Sequence, residues 1–148
     1  MLERKLKGDE FDMQVRLQKA SWLLGIIAIL LFTANVAGAQ EDTTPKKRLR
    51  SPATVRGFIG GESHDSYVIR ARKGRTVTIR ISWRREGDNR AEFTVSESPD
   101  FFNGQQVNFG RESKTGKRWT GKIPKAGDYY IYVTAHPTAR YTLRLNVK

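Results

Sequence analysis

The sequence of 148 residues contains no cysteine. Disulfides, thiolate metal sites and cysteine nucleophiles are therefore excluded, and stability has to come from packing and hydrogen bonding. Histidine is scarce as well, because the chain has only His64 and His136, both in predicted turns where we expect exposed side chains. Two histidines without thiolates do not make a metal site, so we predict no metal and no cofactor.

Carboxylates are outnumbered, with 15 Asp and Glu against 27 Lys and Arg. Aspartates in predicted loops stand singly among basic residues, which does not favour a calcium site; they are Asp65, Asp88, Asp100 and Asp128. The trio Ser63-His64-Asp65 has the residue types of a hydrolase triad, but neighbours in an extended segment point to opposite faces. We therefore predict no catalytic residues and a protein that is not an enzyme.

Polar side chains are almost absent from residues 21–39, which follow two basic residues and end on the small-residue pattern Ala37-Gly38-Ala39. This pattern is typical of a secretory signal, which we place at residues 1–39, with translation starting at Met13. An uncleaved membrane anchor is the alternative. In both cases the positive flank predicts export to the periplasm or the extracellular space.

Two prolines and a basic cluster, without apolar periodicity, mark residues 40–53 (QEDTTPKKRLRSPA). We predict a flexible linker here, with a polyanion-anchoring arm as the alternative. Removal of residues 1–39 takes away five of the 27 basic and four of the 15 acidic residues, which leaves 22 and 11. Such an excess favours attraction to anionic polymers and surfaces.

Helix-period patterning is absent after residue 53, and apolar residues alternate with polar ones instead. Clear strands are predicted at 65–71, 75–83, 91–95, 127–133 and 141–147, and weaker ones at 54–59, 105–110 and 117–123. Seven or eight short strands without helices predict a sandwich or a barrel. The residues predicted to face its core are Tyr67, Ile69, Ala71, Val77, Ile79, Ile81, Trp83, Ala91, Phe93, Val95, Tyr129, Ile131, Val133, Tyr141, Leu143, Leu145 and Val147.

Three segments, 55–79 (VRGFIGGESHDSYVIRARKGRTVTI), 123–135 and 140–145, resemble the bacterial pre-peptidase C-terminal domain. The resemblance implies a single jelly-roll-like antiparallel β-sandwich at 54–148 in a secreted protein. It also implies that Gly57 and Gly60-Gly61 permit the first turn and that Lys73-Gly74 forms a tight hairpin. The middle segment, 83–119, departs from the family pattern, so no ligand residues are carried over.

The framework is also similar to that of the periplasmic inhibitors of goose-type lysozyme. The matching positions are Tyr67, Ala71, Lys73, Gly74, Val77, Gly127, Tyr129 and Val133. This resemblance implies an alternative function, the inhibition of a lysozyme or another secreted hydrolase by protruding loops.

Several outward strand positions carry side chains that can clamp phosphate, carboxylate or sugar groups. We select as candidate ligand-binding residues Arg70, Arg80, Tyr130, Tyr132 and Arg144. The alternative is that exposed Arg and Tyr only keep the strands soluble. The adjacent Phe101 and Phe102 form a candidate loop for docking a partner. Together these features predict a non-catalytic, exported binding module for an anionic envelope or extracellular polymer, with hydrolase inhibition as the alternative.

Overall fold

The computed structural model describes residues 42–148 of the chain. The predicted signal segment, 1–39, and the predicted start at Met13 lie outside the described residues. The strands in the described part are β1 (Lys46–Leu49), β2 (Ala53–Gly60), β3 (Asp65–Ala71), β4 (Thr76–Trp83), β5 (Arg90–Ser96), β6 (Arg111–Glu112), β7 (Arg118–Lys122), β8 (Gly127–His136) and β9 (Thr138–Val147). Residues 42–148 contain no helix that could cross a membrane.

The strands form two sheets that share one hydrophobic core. A four-stranded sheet has the order β1-β3-β8-β5, and a five-stranded sheet has the order β2-β9-β4-β7-β6. The chain changes sheet at every connection between consecutive strands except the one between β6 and β7, which brings the two inner faces together. The predicted all-β sandwich is confirmed. It has nine strands rather than seven or eight, because β1 and the two-residue β6 were not predicted.

The core is built by the strand alternation that the sequence predicts. Every residue predicted to face inward is buried except Trp83 and Val147, which end their strands and are partly buried. The structure adds four buried residues to this core, namely Ile59, Trp119, Ile123 and Ala139. Apolar residues at every second position face the opposite sheet and leave the other positions for polar side chains.

The predicted flexible linker is wrong for Lys46–Leu49, because these residues form β1 and pair in parallel with β3. Leu49 packs against the core, and the Arg48 guanidinium donates two hydrogen bonds to the Asp128 carboxylate, at 3.4 and 3.1 Å. These bonds lower the pKa of Asp128 and raise that of Arg48. A single apolar residue among four basic ones gives no periodicity, so the sequence did not show this strand.

Two weaker strand predictions are confirmed, since 54–59 lies in β2 and 117–123 contains β7. The third is wrong, because 105–110 forms no strand and contributes an isolated bridge between Gln106 and Ser96. One backbone bond reinforces this bridge, from Val107 N–H to the Val95 carbonyl at 2.9 Å.

Two glycine predictions are corrected by the sheet topology. Gly74 has the positive φ expected of it, 84°, but the turn joins different sheets and is therefore not a hairpin. Gly57 lies inside β2 rather than in a turn, directly opposite Tyr141. A Cβ at this position would meet the Tyr141 ring at 2.5 Å, so glycine is required for the tyrosine ring to lie across the strand.

Candidate binding face

The outer face of the five-stranded sheet is strongly basic. Residues paired across neighbouring strands point to the same side of a sheet, so the register assigns each outward side chain. The outward cations of this sheet are all exposed and comprise Arg56, Arg80, Arg111, Arg118, Lys122, Arg140 and Arg144. The remaining outward strand positions carry Thr, Ser, Asn, Gly or Phe58 and no carboxylate. We call this surface the basic face.

A row of three arginines crosses the centre of the basic face. Arg80 on β4 is paired in register with Arg118 on β7 and with Arg144 on β9. Neighbouring strands lie about 4.7–4.9 Å apart, so the row places one guanidinium on each successive strand. Such a dense array of like charges is unfavourable by itself and becomes favourable when an anion lies across it.

The opposite face of the molecule differs, because its outward cations are paired. Among residues 42–148, each outward Lys or Arg of the four-stranded sheet lies within 4 Å of a carboxylate oxygen: Lys46 with Asp42, Arg48 and Arg70 with Asp128, and Arg90 with Glu92. No cation of the basic face has a carboxylate of the described residues within that distance. Among the outward strand positions, the cations without a carboxylate neighbour therefore lie on the five-stranded sheet.

Two grooves lie on the basic face. The first, of about 380 Å³, surrounds the row formed by Arg80, Arg118 and Arg144 and is lined by Thr, Asn and Lys as well. We call it the arginine-row groove. The second, of about 560 Å³, is lined by Phe58, Arg140 and neighbouring residues, and we call it the Phe58 groove. Both grooves are open to solvent.

The five candidate ligand-binding residues do not share a surface. Arg80 and Arg144 are neighbours on the basic face, whereas Arg70, Tyr130 and Tyr132 belong to the four-stranded sheet. Tyr132 is only 1% exposed, so its prediction as an accessible ligand-binding residue is wrong. Tyr130 is half-buried and its ring stacks on Tyr132 with centroids 6.4 Å apart. The prediction missed Arg56, Arg118 and Arg140, although the alternation around each of them indicates an outward position.

The loop after β5 buries Tyr132, which belongs to the outer side of its sheet. The Tyr132 hydroxyl donates to the Ser98 carbonyl at 2.6 Å, and the Phe101 ring packs against the Tyr132 ring at 5.4 Å. Burial therefore raises the pKa of Tyr132. Phe101 thus belongs to the part of the loop that covers Tyr132. Phe102 is 50% exposed and remains the accessible member of the predicted docking loop.

The buried carboxylate of Asp42 connects the first residues of the described part to the loop after β5. This contact was not predicted from the sequence. The Asp42 side chain accepts hydrogen bonds from Thr44 N–H at 3.0 Å and Phe101 N–H at 3.4 Å. His64 Nε2 lies 3.2 Å from the same carboxylate. Burial raises the pKa of Asp42, but the Thr44 hydrogen bonds and the charges of His64 and Lys46 together outweigh it and lower the pKa. We call this contact the Asp42 clasp.

The side chains of Ser63-His64-Asp65 contact three different partners. The Ser63 hydroxyl donates to the Gly60 carbonyl at 2.6 Å, His64 lies against Asp42 and stacks on Phe101, and Asp65 accepts from the Tyr141 hydroxyl. The trio therefore does not converge on one reacting centre. The prediction of an exposed turn histidine is wrong for His64, which is enclosed by the Asp42 clasp. His136 is exposed as predicted, but it is the last residue of β8 rather than a turn residue.

Known structures share this architecture. A periplasmic inhibitor of g-type lysozyme, PliG from Aeromonas hydrophila, matches with a TM-score of 0.57 and 20% identity over 71% of this chain and 97% of that chain. The pre-peptidase C-terminal domain of a collagenase from Bacillus anthracis matches with a TM-score of 0.51 and 20% identity over 70% of this chain and 96% of that chain. PliG from Salmonella Typhimurium matches with a TM-score of 0.50 and 20% identity over 72% of this chain and 100% of that chain.

The chain has the fold of these proteins. Both resemblances predicted from the sequence are thereby confirmed at the level of the fold. No protein-family model matches the sequence, and neither does any curated protein sequence. At 20% identity the likeness extends to architecture, while activity depends on the residues placed on it.

Proposed function

We propose that the chain is an exported, non-catalytic module that binds an anionic polymer of the cell envelope or the extracellular space through its basic face. The observation that carries this proposal is the unequal distribution of charge. Seven cations on one sheet face lack a neighbouring carboxylate of the described residues, whereas those on the other sheet are paired. Unpaired surface cations gain most from an external anion, because no internal pair has to be broken first.

Charge reversal on the arginine row tests this proposal. Wild-type chain, purified from a bacterial host that exports it, is expected to be retained on polygalacturonate and heparin at low salt and released by salt. Arg80→Glu with Arg144→Glu should weaken binding at least about tenfold, because each reversal turns an attraction of about 1 kcal/mol into a repulsion. The matched control is Lys47→Glu with Arg72→Glu, which changes the net charge equally at exposed residues that lie on no strand of the five-stranded sheet.

Retention that is equal for the two double variants would show that net charge alone attracts the polymer and would refute a defined face. Absence of any salt-sensitive retention of the wild-type chain would refute polymer binding altogether. Circular dichroism of all variants checks that the sandwich is intact, which we expect because the substituted residues are exposed.

A second candidate function is inhibition of a lysozyme or another secreted hydrolase, and the fold favours it. PliG from Aeromonas hydrophila is aligned over 97% of its length with the sandwich described here. The strong positive charge weighs against a basic lysozyme as partner, because like charges repel during approach. The assay is g-type lysozyme activity with and without the chain. Inhibition that Phe102→Asp abolishes and the arginine-row variant leaves unchanged would support the inhibitor and overturn the polymer proposal.

A further inference from the structure

We infer that the basic face has two adjoining subsites and that its ligand is an acidic polysaccharide, with anionic groups on the arginine row and a sugar ring on Phe58. This inference rests on the proposed function and goes further by naming the polymer class. It is carried by the chemical difference between the two grooves of the same sheet face.

The two grooves follow one another along a single strand. β9 contributes Arg144 and Asn146 to the arginine-row groove and Arg140 and Thr142 to the Phe58 groove. Arg140 and Arg144 are four residues apart on an extended strand, which corresponds to about 13–14 Å at 3.4 Å per residue. A ligand that reaches both grooves must therefore be a chain of several units rather than one small ion.

The Phe58 groove differs from the arginine-row groove by an exposed aromatic ring. Phe58 is 58% exposed, and it is the one large apolar side chain at an outward strand position of the five-stranded sheet. The Arg140 guanidinium carbon lies 5.2 Å from the centre of its ring. A guanidinium stacked on a ring keeps its N–H donors in its own plane, where a carboxylate or sulfate can accept from them. Ring and cation together form a recognition unit for a cyclic anion.

An acidic sugar has one group for the aromatic ring of this unit and another for its cation. A pyranose ring has an apolar C–H face that can pack on Phe58, and its carboxylate or sulfate group can pair with Arg140 or Arg56. Inorganic polyphosphate has charge but no apolar surface to bury on a ring. Single-stranded nucleic acid binds on successive aromatic platforms, whereas Phe58 is the one large exposed apolar side chain on the basic face of residues 42–148.

The test compares polymers on the exported chain, with polygalacturonate, inorganic polyphosphate and oligothymidylate as probes and titration calorimetry as the readout. Phe58→Ala should weaken polygalacturonate binding about three- to tenfold, the range for one aromatic contact, and leave polyphosphate binding unchanged. Arg140→Lys keeps the charge but loses the planar fork, so it should weaken polygalacturonate selectively as well. Phe102→Ala removes a ring that is 50% exposed and lies beside Phe101 on the outer side of the four-stranded sheet, so it should change neither.

Equal effects of Phe58→Ala on polygalacturonate and polyphosphate, or no effect on either, would overturn the sugar subsite while leaving the basic face in place. Tighter binding of oligothymidylate than of polygalacturonate, lost in Phe58→Ala, would assign the subsite to a nucleobase and overturn the inference. Failure of the wild-type chain to bind any of the three polymers would instead refute the proposed function itself. Exposure of Phe58 predicts that its alanine variant folds normally, which the melting temperature checks.

Discussion

Replacing Tyr141 with phenylalanine is expected to destabilise the sandwich by leaving the hydroxyl of Tyr67 without a partner. The two hydroxyl oxygens lie 2.6 Å apart in the core, and the Tyr141 hydroxyl donates to the Asp65 carboxylate. Both rings are almost fully buried. Tyr141 is therefore the middle member of a chain of hydrogen bonds that crosses from the five-stranded to the four-stranded sheet.

The expected loss in the free energy of unfolding depends on which hydroxyl groups keep a hydrogen-bond partner in each variant. Tyr67→Phe removes one hydrogen bond while Tyr141 keeps its bond to Asp65, so the free energy of unfolding should fall by about 0.5–1.5 kcal/mol. Tyr141→Phe orphans the buried Tyr67 hydroxyl and removes the bond to a carboxylate, which should cost about 2–4 kcal/mol. In the Tyr141→Phe background, Tyr67→Phe removes the orphaned group and should be neutral or stabilising.

Urea unfolding of the two single variants and the double variant measures this coupling as a double-mutant cycle. Additive effects within about 0.5 kcal/mol would refute the hydrogen-bonded chain. A second readout is alkaline stability. Burial raises the pKa of Tyr67 and Tyr141, and hydrogen bonds to Asp65 and Tyr67 raise that of Tyr141 further. Their contribution is thus complete below pH about 10 and is lost as the pH rises above it, so the alkaline loss of stability should be smaller in the double variant than in the wild type.

Two further predictions concern positions that the sequence did not explain. Gly57→Ala should lower the free energy of unfolding by about 1–3 kcal/mol, because the new Cβ would lie 2.5 Å from the Tyr141 ring. Gly127→Ala, where nothing lies within 4 Å, is the control, and equal losses would contradict the close contact. Asp42→Asn should cost about 1–3 kcal/mol at neutral pH. Because the pKa of Asp42 is lowered, its contribution is present above pH about 4 and is lost on further acidification, so wild type and variant should converge in acid. Urea midpoints across the pH range measure this, and a constant difference down to low pH would refute the clasp.

The alternation of apolar and polar residues predicted the sandwich and most of its core. In β4, for example, Val77, Ile79 and Ile81 face inward because successive side chains of a strand point to opposite faces. This rule depends on a residue and its immediate neighbours, so it can be read from one sequence. The same rule assigns Arg80 and Arg144 outward positions, which the structure confirms as exposed.

Only the tertiary structure decided which outward residues share a surface and which of them solvent can reach. Arg70 and Arg80 have similar local patterns, yet they belong to different sheets, because strand partners are chosen between segments far apart in the chain. Tyr132 follows the outward pattern of β8 and is nevertheless buried, because the loop that holds Phe101 folds back over it. The sequence therefore determined the side of the strand on which each residue lies, a local property of the backbone. The basic face, the cover over Tyr132 and the Asp42 clasp depend on contacts between distant segments, which the alternation of a single strand does not encode.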